Sequence, residues 1–491
     1  MAKIIFIQLH AWQQLGLMYI SAKLKKHSYN VRLAIGTTFN EILPSLNEFN
    51  PDVVGFSITT VNQADTLEIA RKIKQRFNVK TLFGGPHATY FPEFIHQDGV
   101  DALIRGEGET ACLEFMEYVA GKRPISSVRN LWSKTGSTIL KNELAPFDDI
   151  DSLEFPDRTI YDEFKEKVDF SSLYVLTSRN CPYNCSFCFN SKLREIYKGK
   201  GKYVRIRNHD NVLEEIRQCC DTNKKITSIH FVDDLFGVNE KWLDDFLPKF
   251  KRQIGLPFDC LVRADVIAQH PDYAMQLKSA GCAGVAFGIE SGNEKLRQTI
   301  LRKQITDEEI IKTADLLHKA GLKFKTYNIF GFPHESIKNA EETVELNIKI
   351  KTDFPSSNLF IPFPMLDLTE EAQQKGYLSK CFSAVDIKND AFINSQLQIP
   401  NIIVFEKLER FFQTAVLMPF LWPLIKAYCN SHPSSYYKFI KKIEIFWFGV
   451  IYFYVYYKST NTNIVKLIFY ALNNYKKILG LSKETNKNAE K

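Results

Sequence analysis

Three cysteines, Cys181, Cys185 and Cys188, lie on one short stretch, Thr177-Ser178-Arg179-Asn180-Cys181-Pro182-Tyr183-Asn184-Cys185-Ser186-Phe187-Cys188, with C-x3-C-x2-C spacing. Thiolates are soft ligands, and three on one tight loop can hold one soft metal centre together. The apolar run Leu173–Leu176 just before them reads as a short buried strand, and Pro182 turns the chain out of it. A closed zinc site or a four-cysteine cluster needs a fourth ligand. The next cysteines along the chain, Cys219 and Cys220, are adjacent and fall in a helical pattern. The spacing therefore describes three thiolates with one metal position left open. Buried thiols, or a zinc site completed by a distant residue, are the alternatives that the spacing alone leaves standing.

The elements that must position these thiolates belong to a chain of 491 residues, long enough for two or three domains, with 45% hydrophobic and 24% charged residues. Ten cysteines without even spacing do not form a disulfide framework, so a reducing compartment is expected. The opening Met1-Ala2-Lys3-Ile4-Ile5-Phe6-Ile7 is too short in apolar length for a signal peptide. Charge is unevenly placed. Residues 401–491 carry 13 Lys and Arg against 5 Asp and Glu, whereas the remainder carries 50 against 51. A neutral body argues against nucleic acid as a partner, and the basic tail calls for a separate role.

Residues 1–125 alternate short apolar runs with helical patterns. Strands are expected at 3–7, 30–34, 52–57, 79–83 and 102–104, and helices at 14–27, 40–49, 63–77, 91–96 and 109–121. That alternation predicts an α/β domain with a parallel sheet and helices on both faces, of the flavodoxin-like (Rossmann-type) kind, which takes ligands at the C-terminal strand ends. Those ends carry Ser57-Ile58-Thr59-Thr60, Gly84-Gly85-Pro86-His87-Ala88-Thr89 and Gly106-Glu107-Gly108-Glu109. Any one of these loops could be an ordinary turn or a helix start, with Glu109 favouring a helix dipole. Three polar, glycine-rich loops on one sheet edge favour a ligand, because glycine lets it approach the backbone and hydroxyls supply hydrogen bonds.

Residues 126–170 read as a linker, with a small hairpin at 130–133 and 137–140 around Lys134-Thr135-Gly136. Strand–helix alternation resumes over 171–370, with six units that predict a partial (β/α)6 barrel of the TIM-like kind. Its strand ends carry Asp233-Asp234, Arg263, Glu290-Ser291-Gly292 and Gly331-Phe332-Pro333-His334-Glu335. Each could be a cap or a turn in isolation. Together, carboxylates and a guanidinium beside the cysteine loop suit a ligand with a charged amino-acid end. Residues 371–491 form a helical C-terminal region broken by Pro419, Pro423 and Pro433. It contains an uncharged, mostly aromatic run, Ile445–Tyr457, flanked by Lys438, Lys441, Lys442 and Lys458. The run is too short to span a bilayer. It predicts either a buried helix packed on the barrel or a helix lying on a membrane surface.

The cysteine spacing, with aromatic Phe187 just before the third cysteine, resembles the signature of radical S-adenosylmethionine (SAM) enzymes. Gln14-Leu15-Gly16-Leu17 and the three loops of the first domain resemble the cobalamin-binding domain that precedes many of them. The resemblance, over residues 1–370, is to cobalamin-dependent radical SAM enzymes. These include class B methyltransferases and the anaerobic magnesium-protoporphyrin ester cyclase. It implies a [4Fe–4S] cluster on Cys181, Cys185 and Cys188 that cleaves SAM reductively to a 5′-deoxyadenosyl radical. It also implies SAM contacts from Phe187, Asp233, Arg263, Glu290 and Gly331. Cobalamin contacts are implied from Ser57, Thr59, Thr60, Gly84, Gly85, His87, Gly106, Glu107 and Gly108. The chain lacks the D-x-H-x-x-G motif that supplies a histidine to cobalt, so cobalamin bound without a histidine lower ligand is expected, His10 and His87 notwithstanding. Val232-Asp233-Asp234-Leu235-Phe236 stands where many relatives have Gly-Gly-Glu, and Pro364-Met365-Leu366-Asp367 where they often have Pro-Gly-Thr. The expected reaction is methylation of an unactivated carbon. A radical oxidation, cyclisation or rearrangement without methyl transfer is the alternative, and a non-catalytic sensor stands third. A flavodoxin or ferredoxin as electron donor, a small-molecule or lipid-like substrate, and a cytoplasmic setting with peripheral contact at the inner membrane face complete the expectation.

Overall fold

The computed structural model describes residues 2–387, 391, 394–431 and 437–460. They form two compact units. One contains the chain up to Tyr183, then Phe189–Phe258 and a short later return; the other contains Asn184–Cys188, Asp259–Phe382 and most of the later chain.

The first unit opens with β1 (Lys3–Gln8), α1 (Leu15–Lys26), β2 (Asn30–Ile35), α2 (Phe39–Phe49), β3 (Val53–Ser57), α3 (Gln63–Arg76), β4 (Lys80–Gly84), α4 (Pro86–Tyr90), β5 (Ala102–Ile104) and α5 (Glu109–Val119). The sheet order is β2-β1-β3-β4-β5, all parallel. Such a sheet is covered on both faces, which is why β1 is a continuous apolar run rather than an alternating one. Successive side chains of a strand point to opposite faces. Ile4 and Phe6 accordingly enter one core with Leu17, Met18 and Leu82, while Ile5 and Ile7 enter the other with Val54, Phe56 and Phe83.

The hairpin expected in the linker is not detached. It forms β6 (Leu131–Thr135) and β7 (Thr138–Lys141), and β6 pairs antiparallel with β5. The three-residue β5 would otherwise leave a bare sheet edge. Trp132 of the hairpin packs into the same core as Phe83.

The unit continues with β8 (Ser172–Val175), β9 (Ser178–Arg179), α6 (Phe189–Ile196), β10 (Arg205–Ile206), α7 (His209–Thr222), β11 (Ser228–Phe231) and α8 (Glu240–Gln253). Strands β8 and β11 pair in parallel, and β9 and β10 antiparallel.

The second unit carries β12 (Phe258–Leu261, its first residue counted with the other unit), α9 (Ala264–Gln269), α10 (Tyr273–Ala280) and β13 (Cys282–Glu290). It goes on through α11 (Asp307–Lys319), β14 (Lys323–Phe330), α12 (Ile337–Lys349) and β15 (Phe354–Leu359). Strands β13, β14 and β15 pair in parallel. The six strand–helix units expected are thus present, with α6 and α9 as short additions that the periodicity did not show. Thr306 and Ser336 cap α11 and α12 through capping boxes, so these two helices start where their sequences say they should.

The C-terminal region is helical: α13 (Asp367–Gln374), α14 (Ile402–Leu417), α15 (Trp422–Cys429) and α16 (Tyr437–Thr460). Pro419 opens a short turn and Pro423 sits in the first turn of α15, where a missing N–H costs nothing. Pro433 lies outside the described residues, as do the lysines beyond Thr460. Helix α16 is longer than the aromatic run that announced it. It extends back through Lys441, Lys442 and Glu444, because Glu444 is buried against Arg410 of α14 at 2.7 Å.

Candidate active site

The cysteine loop is tied at both ends. On the first unit, Asp233 follows β11 and is buried. Its carboxylate accepts from Thr177 N (3.0 Å), Thr177 Oγ1 (2.8 Å), Ser178 Oγ (2.6 Å) and Ser178 N. Burial pushes Asp233 up to about 6 despite these donors. Its oxygens are taken up by the start of the loop, so it acts on the site by positioning the chain before Cys181. Asn180 holds φ +69, a conformation asparagine tolerates, and its Nδ2 donates to Tyr203 O at 2.8 Å. Arg194 of α6 reaches back to the carbonyls of Cys181 (2.8 Å) and Tyr183 (3.3 Å).

On the second unit, Ser186 donates from N to Leu301 O (3.1 Å) and from Oγ to Ile300 O (2.7 Å), and Cys188 N donates to Cys185 O (3.2 Å). All three cysteines are free thiols, half-buried. Burial pushes the Cys185 thiol up, and the Lys303 and Arg263 cations pull it back towards the thiolate. A cationic, partly exposed setting is what a ligating thiolate needs. Among the described residues no group of His, Cys, Asp or Glu is gathered as a single ion would require. A cubane asks for something else, separate thiolates on separate irons.

Arg263 grips Asp265 in a two-point contact, 2.9 Å at each bond. Glu290 ends β13 with φ +67, a strained conformation for a residue with a side chain. Two groups hold it there. Lys303 Nζ lies 2.8 Å from its carboxylate, and the fully buried Arg297 donates to Ser291 O (2.8 Å), Ile305 O (2.7 Å) and Asp307 (2.6 Å). Gly331 has φ +82 and donates its N–H to Glu335 at 2.6 Å, and Phe332 N donates to the same oxygen at 3.3 Å. Phe187 packs near Phe332, ring centres 6.5 Å apart. The arrangement places Arg263, Glu290 and Cys185 in one charged neighbourhood of the second unit. Glu335 was legible only as one more strand-end residue; its buried carboxylate is the anchor of the Gly331 turn.

In the first unit a cavity of about 230 Å³ opens at the C-terminal ends of the sheet. Ser57, Gly84, Gly85, Gly106, Glu107 and Gly108 line it. Gly85 has φ +87, and a Cβ there would meet the Ile58 backbone at 2.9 Å. Gly106 has φ +73, with the Tyr197 hydroxyl 1.7 Å from where its Cβ would be. Thr59, Thr60 and His87 are not among the lining residues. Thr59 N donates to Asn62 at 2.9 Å, and Thr60 Oγ1 lies 3.2 Å from His87 Nδ1. His87 is buried edge-on to Phe94, and burial pushes it down to about 4, so it is neutral. His10 stacks on exposed Trp12.

Among the lining residues missed from sequence are Tyr19, Cys112, Leu176 and Arg179, beside apolar strand residues such as Phe6 and Phe56. Arg179 is central. It pairs with Glu107 at 2.9 Å and Glu109 at 2.6 Å, and its guanidinium lies 4.9 Å from the Tyr19 ring centre. Arg205 adds a second bond to Glu107 at 2.9 Å. Burial alone would push Glu107 up, but Arg179 and Arg205 together hold it below the usual carboxylate range. Glu109 therefore does more than face a helix dipole, and Glu107 meets the cavity as half of an ion pair. The position of Arg179, two residues before Cys181, was the one available signal for it.

A glycine-lined cavity at the edge of a parallel sheet, in a chain that also carries an anchored three-cysteine loop, defines a two-cofactor α/β enzyme. The comparisons give the class. Residues 9–116 match the B12 binding domain and residues 175–346 the radical SAM superfamily. The chain belongs to the radical SAM superfamily, among its members with a cobalamin-binding domain; it is an enzyme of a [4Fe–4S] cluster, SAM and cobalamin.

It is 30% identical over 367 residues to an uncharacterized methyltransferase of Pyrococcus horikoshii, covering 73% of this chain and 78% of that one. It is 23% identical over 388 residues to the anaerobic magnesium-protoporphyrin IX monomethyl ester cyclase of Rubrivivax gelatinosus, covering 74% and 67%. Its fold is shared with the radical SAM methyltransferase TsrM from Kitasatospora setae, solved with tryptophan substrate and a SAM analogue. The TM-score there is 0.66 at 15% identity, over 88% of this chain and 89% of that one.

Proposed function

We propose that this enzyme methylates an unactivated carbon of a small or lipid-like molecule. The observation that carries the reading is the glycine-lined cavity at the strand ends of a B12 binding domain, in the same chain as a cysteine loop held beside Arg263, Lys303 and Glu290. The bound cofactors supply a 5′-deoxyadenosyl radical and a methyl donor. The chain's own residues position them. In this reading Cys181, Cys185 and Cys188 hold the cluster. Arg263 and Glu290 face the polar end and ribose of SAM, and Phe187 and Gly331 border its adenine. Asp233 sets the start of the cysteine loop. Ser57, Gly84, Gly85, Gly106, Glu107 and Gly108 cradle cobalamin, while Thr59, Thr60 and His87 support that cradle from behind. The buried, neutral His87 suits cobalamin without a histidine lower ligand.

The functional parts are assigned as residues 1–125 for cobalamin, 126–170 as connector, 171–370 for SAM chemistry and 371–491 as a C-terminal region in contact with substrate or membrane. Two relatives bear on the reaction. The Pyrococcus protein is described as a methyltransferase. The Rubrivivax enzyme, a cyclase, favours the second reading, a radical ring closure or oxidation without methyl transfer. A low-potential donor such as flavodoxin or ferredoxin would deliver the electron. No helix among the described residues is long and apolar enough to cross a membrane. The reading adds a cytoplasmic protein that touches the inner membrane face through its C-terminal region.

Anaerobic reconstitution followed by incubation with methyl-deuterated SAM and extract of the native host tests the reaction. Deuterium in a new methyl group supports methyl transfer; a modified but unlabelled product selects the second reading. Protein that binds both cofactors and never yields 5′-deoxyadenosine would sink both and leave a sensor.

A further inference from the structure

From Ile443 to Val450 helix α16 is apolar apart from Glu444, and among the described residues only one side of this stretch is covered. On the inner side Glu444 is buried and receives Arg410 at 2.7 Å and the Tyr428 hydroxyl, while Gly449 and Ile451 are also buried. On the outer side Ile443 is 54% exposed, Phe446 58%, Trp447 38% and Val450 44%. Their spacing of three, four and seven residues makes one continuous stripe along the helix. Trp447 is fixed rather than loose, since its Nε1 donates to Thr414 Oγ1 of α14 at 2.9 Å. The indole nitrogen is satisfied inside while part of the ring faces out.

Among the described residues of the helix, the exposed charge beside this stripe is positive. Glu444 is the helix's only acid, and it points inward, neutralised by Arg410. Lys442 is exposed next to Ile443, and Lys441 pairs with Glu406 at 2.8 Å. Residues 401–491 carry 13 basic against 5 acidic residues. A stripe of aromatic and aliphatic side chains bordered by lysine, with no acid of the helix itself facing out, matches the interfacial zone of a bilayer with anionic headgroups. A second copy of the chain would bring the same positive charge to the same face, which disfavours self-association. No described helix is long and apolar enough to span, so a contact made by a helix this polar at its start would be in the plane of a surface.

We propose that the outer face of α16, centred on Phe446, Trp447 and Val450, docks on an anionic lipid bilayer. This rests on the proposed peripheral contact of the C-terminal region and deepens it. Because the measurement is binding, its failure is separable from failure of the proposed chemistry, which is read by 5′-deoxyadenosine.

The test is flotation of the full-length holoenzyme with vesicles of phosphatidylcholine and phosphatidylglycerol in equal parts, and with phosphatidylcholine alone. The wild type should float with the anionic vesicles, less so in high salt. The double variant F446S/V450S should bind at least about tenfold more weakly, and K442E should lose the preference for anionic lipid. Both should keep the wild-type melting temperature and yield of 5′-deoxyadenosine. Brominated lipid should quench tryptophan emission in the wild type more than in W447F. No flotation of the wild type, equal flotation of F446S/V450S, or a wild-type dimer in light scattering that F446S/V450S dissociates would each overturn the proposal.

Discussion

Lys303 Nζ lies 2.8 Å from Glu290 Oε1, with both side chains about nine-tenths buried. Glu290 sits in the left-handed region at the end of β13, and the pair occupies the space that Gly288 leaves open. A Cβ on Gly288 would come within 1.9 Å of Glu290 and 2.6 Å of Lys303. The ion pair, the glycine and the strained residue form one device that aims a carboxylate.

Removing one partner of a buried pair leaves a charge without compensation, at a cost of about 3–5 kcal/mol. K303M should therefore lower the urea midpoint by that much in free energy with an unchanged slope, and weaken SAM binding in equilibrium dialysis by at least about tenfold. E290Q/K303M should recover most of the stability and none of the SAM affinity. A K303M protein that matches the wild type in both measurements would rule out this role.

Gly106 faces a different constraint. Its φ of +73 suits glycine, and the Tyr197 hydroxyl stands where a Cβ would go. G106A should cost about 1–3 kcal/mol and reduce the cobalamin retained after gel filtration, read from its visible absorbance. Adding Y197F should restore only part of the loss, because the ring carbon bearing that hydroxyl would still be 2.8 Å from the new Cβ. Full restoration by Y197F would show that the backbone conformation does not matter here.

His87 makes the fold acid-sensitive. Burial lowers its folded pKa to about 4, beneath the unfolded value near 6.5. The unfolded chain takes up a proton that the folded one refuses, so the stability is complete above pH 6.5 and is lost as pH falls towards 4. At about 1.4 kcal/mol per unit, the loss approaches about 3 kcal/mol. Urea unfolding of wild type and H87Q between pH 7 and pH 4 should show the wild type losing about that much more. Parallel curves would place the acid sensitivity elsewhere.

Glu335 works in the opposite sense. Burial raises it to about 8, and Oε1 is buried with no hydrogen-bond partner among the described residues. Its raised pKa favours the folded state below the unfolded value near 4.5, and that stability is lost as pH rises towards 8. E335Q should flatten this alkaline decline while keeping an acceptor for Gly331 and Phe332. E335A should lose that acceptor and weaken SAM binding at every pH. A wild-type stability that does not fall between pH 6 and pH 8 relative to E335Q would contradict the assignment.

What the chain determines by itself is whatever is written in neighbouring residues. The unbroken apolar run of β1, the cysteine spacing, the glycine-rich strand ends and the capping boxes of α11 and α12 depend on periods of a few residues, so order and spacing suffice to read them. The tertiary structure decided which polar groups meet. Asp233 closes on Thr177, 56 residues away, and Arg179 on Glu109, 70 residues away. His87 and Glu107 were legible only as strand-end residues; the fold buries His87 and places Glu107 between two arginines. The linker hairpin joined the sheet because the short β5 left an edge to pair. Helix α16 took in Glu444 because Arg410 was waiting across the interface, and that pairing turned one apolar face outward. A buried charge is stable only beside its partner, and partners distant in sequence are brought together only by the completed fold.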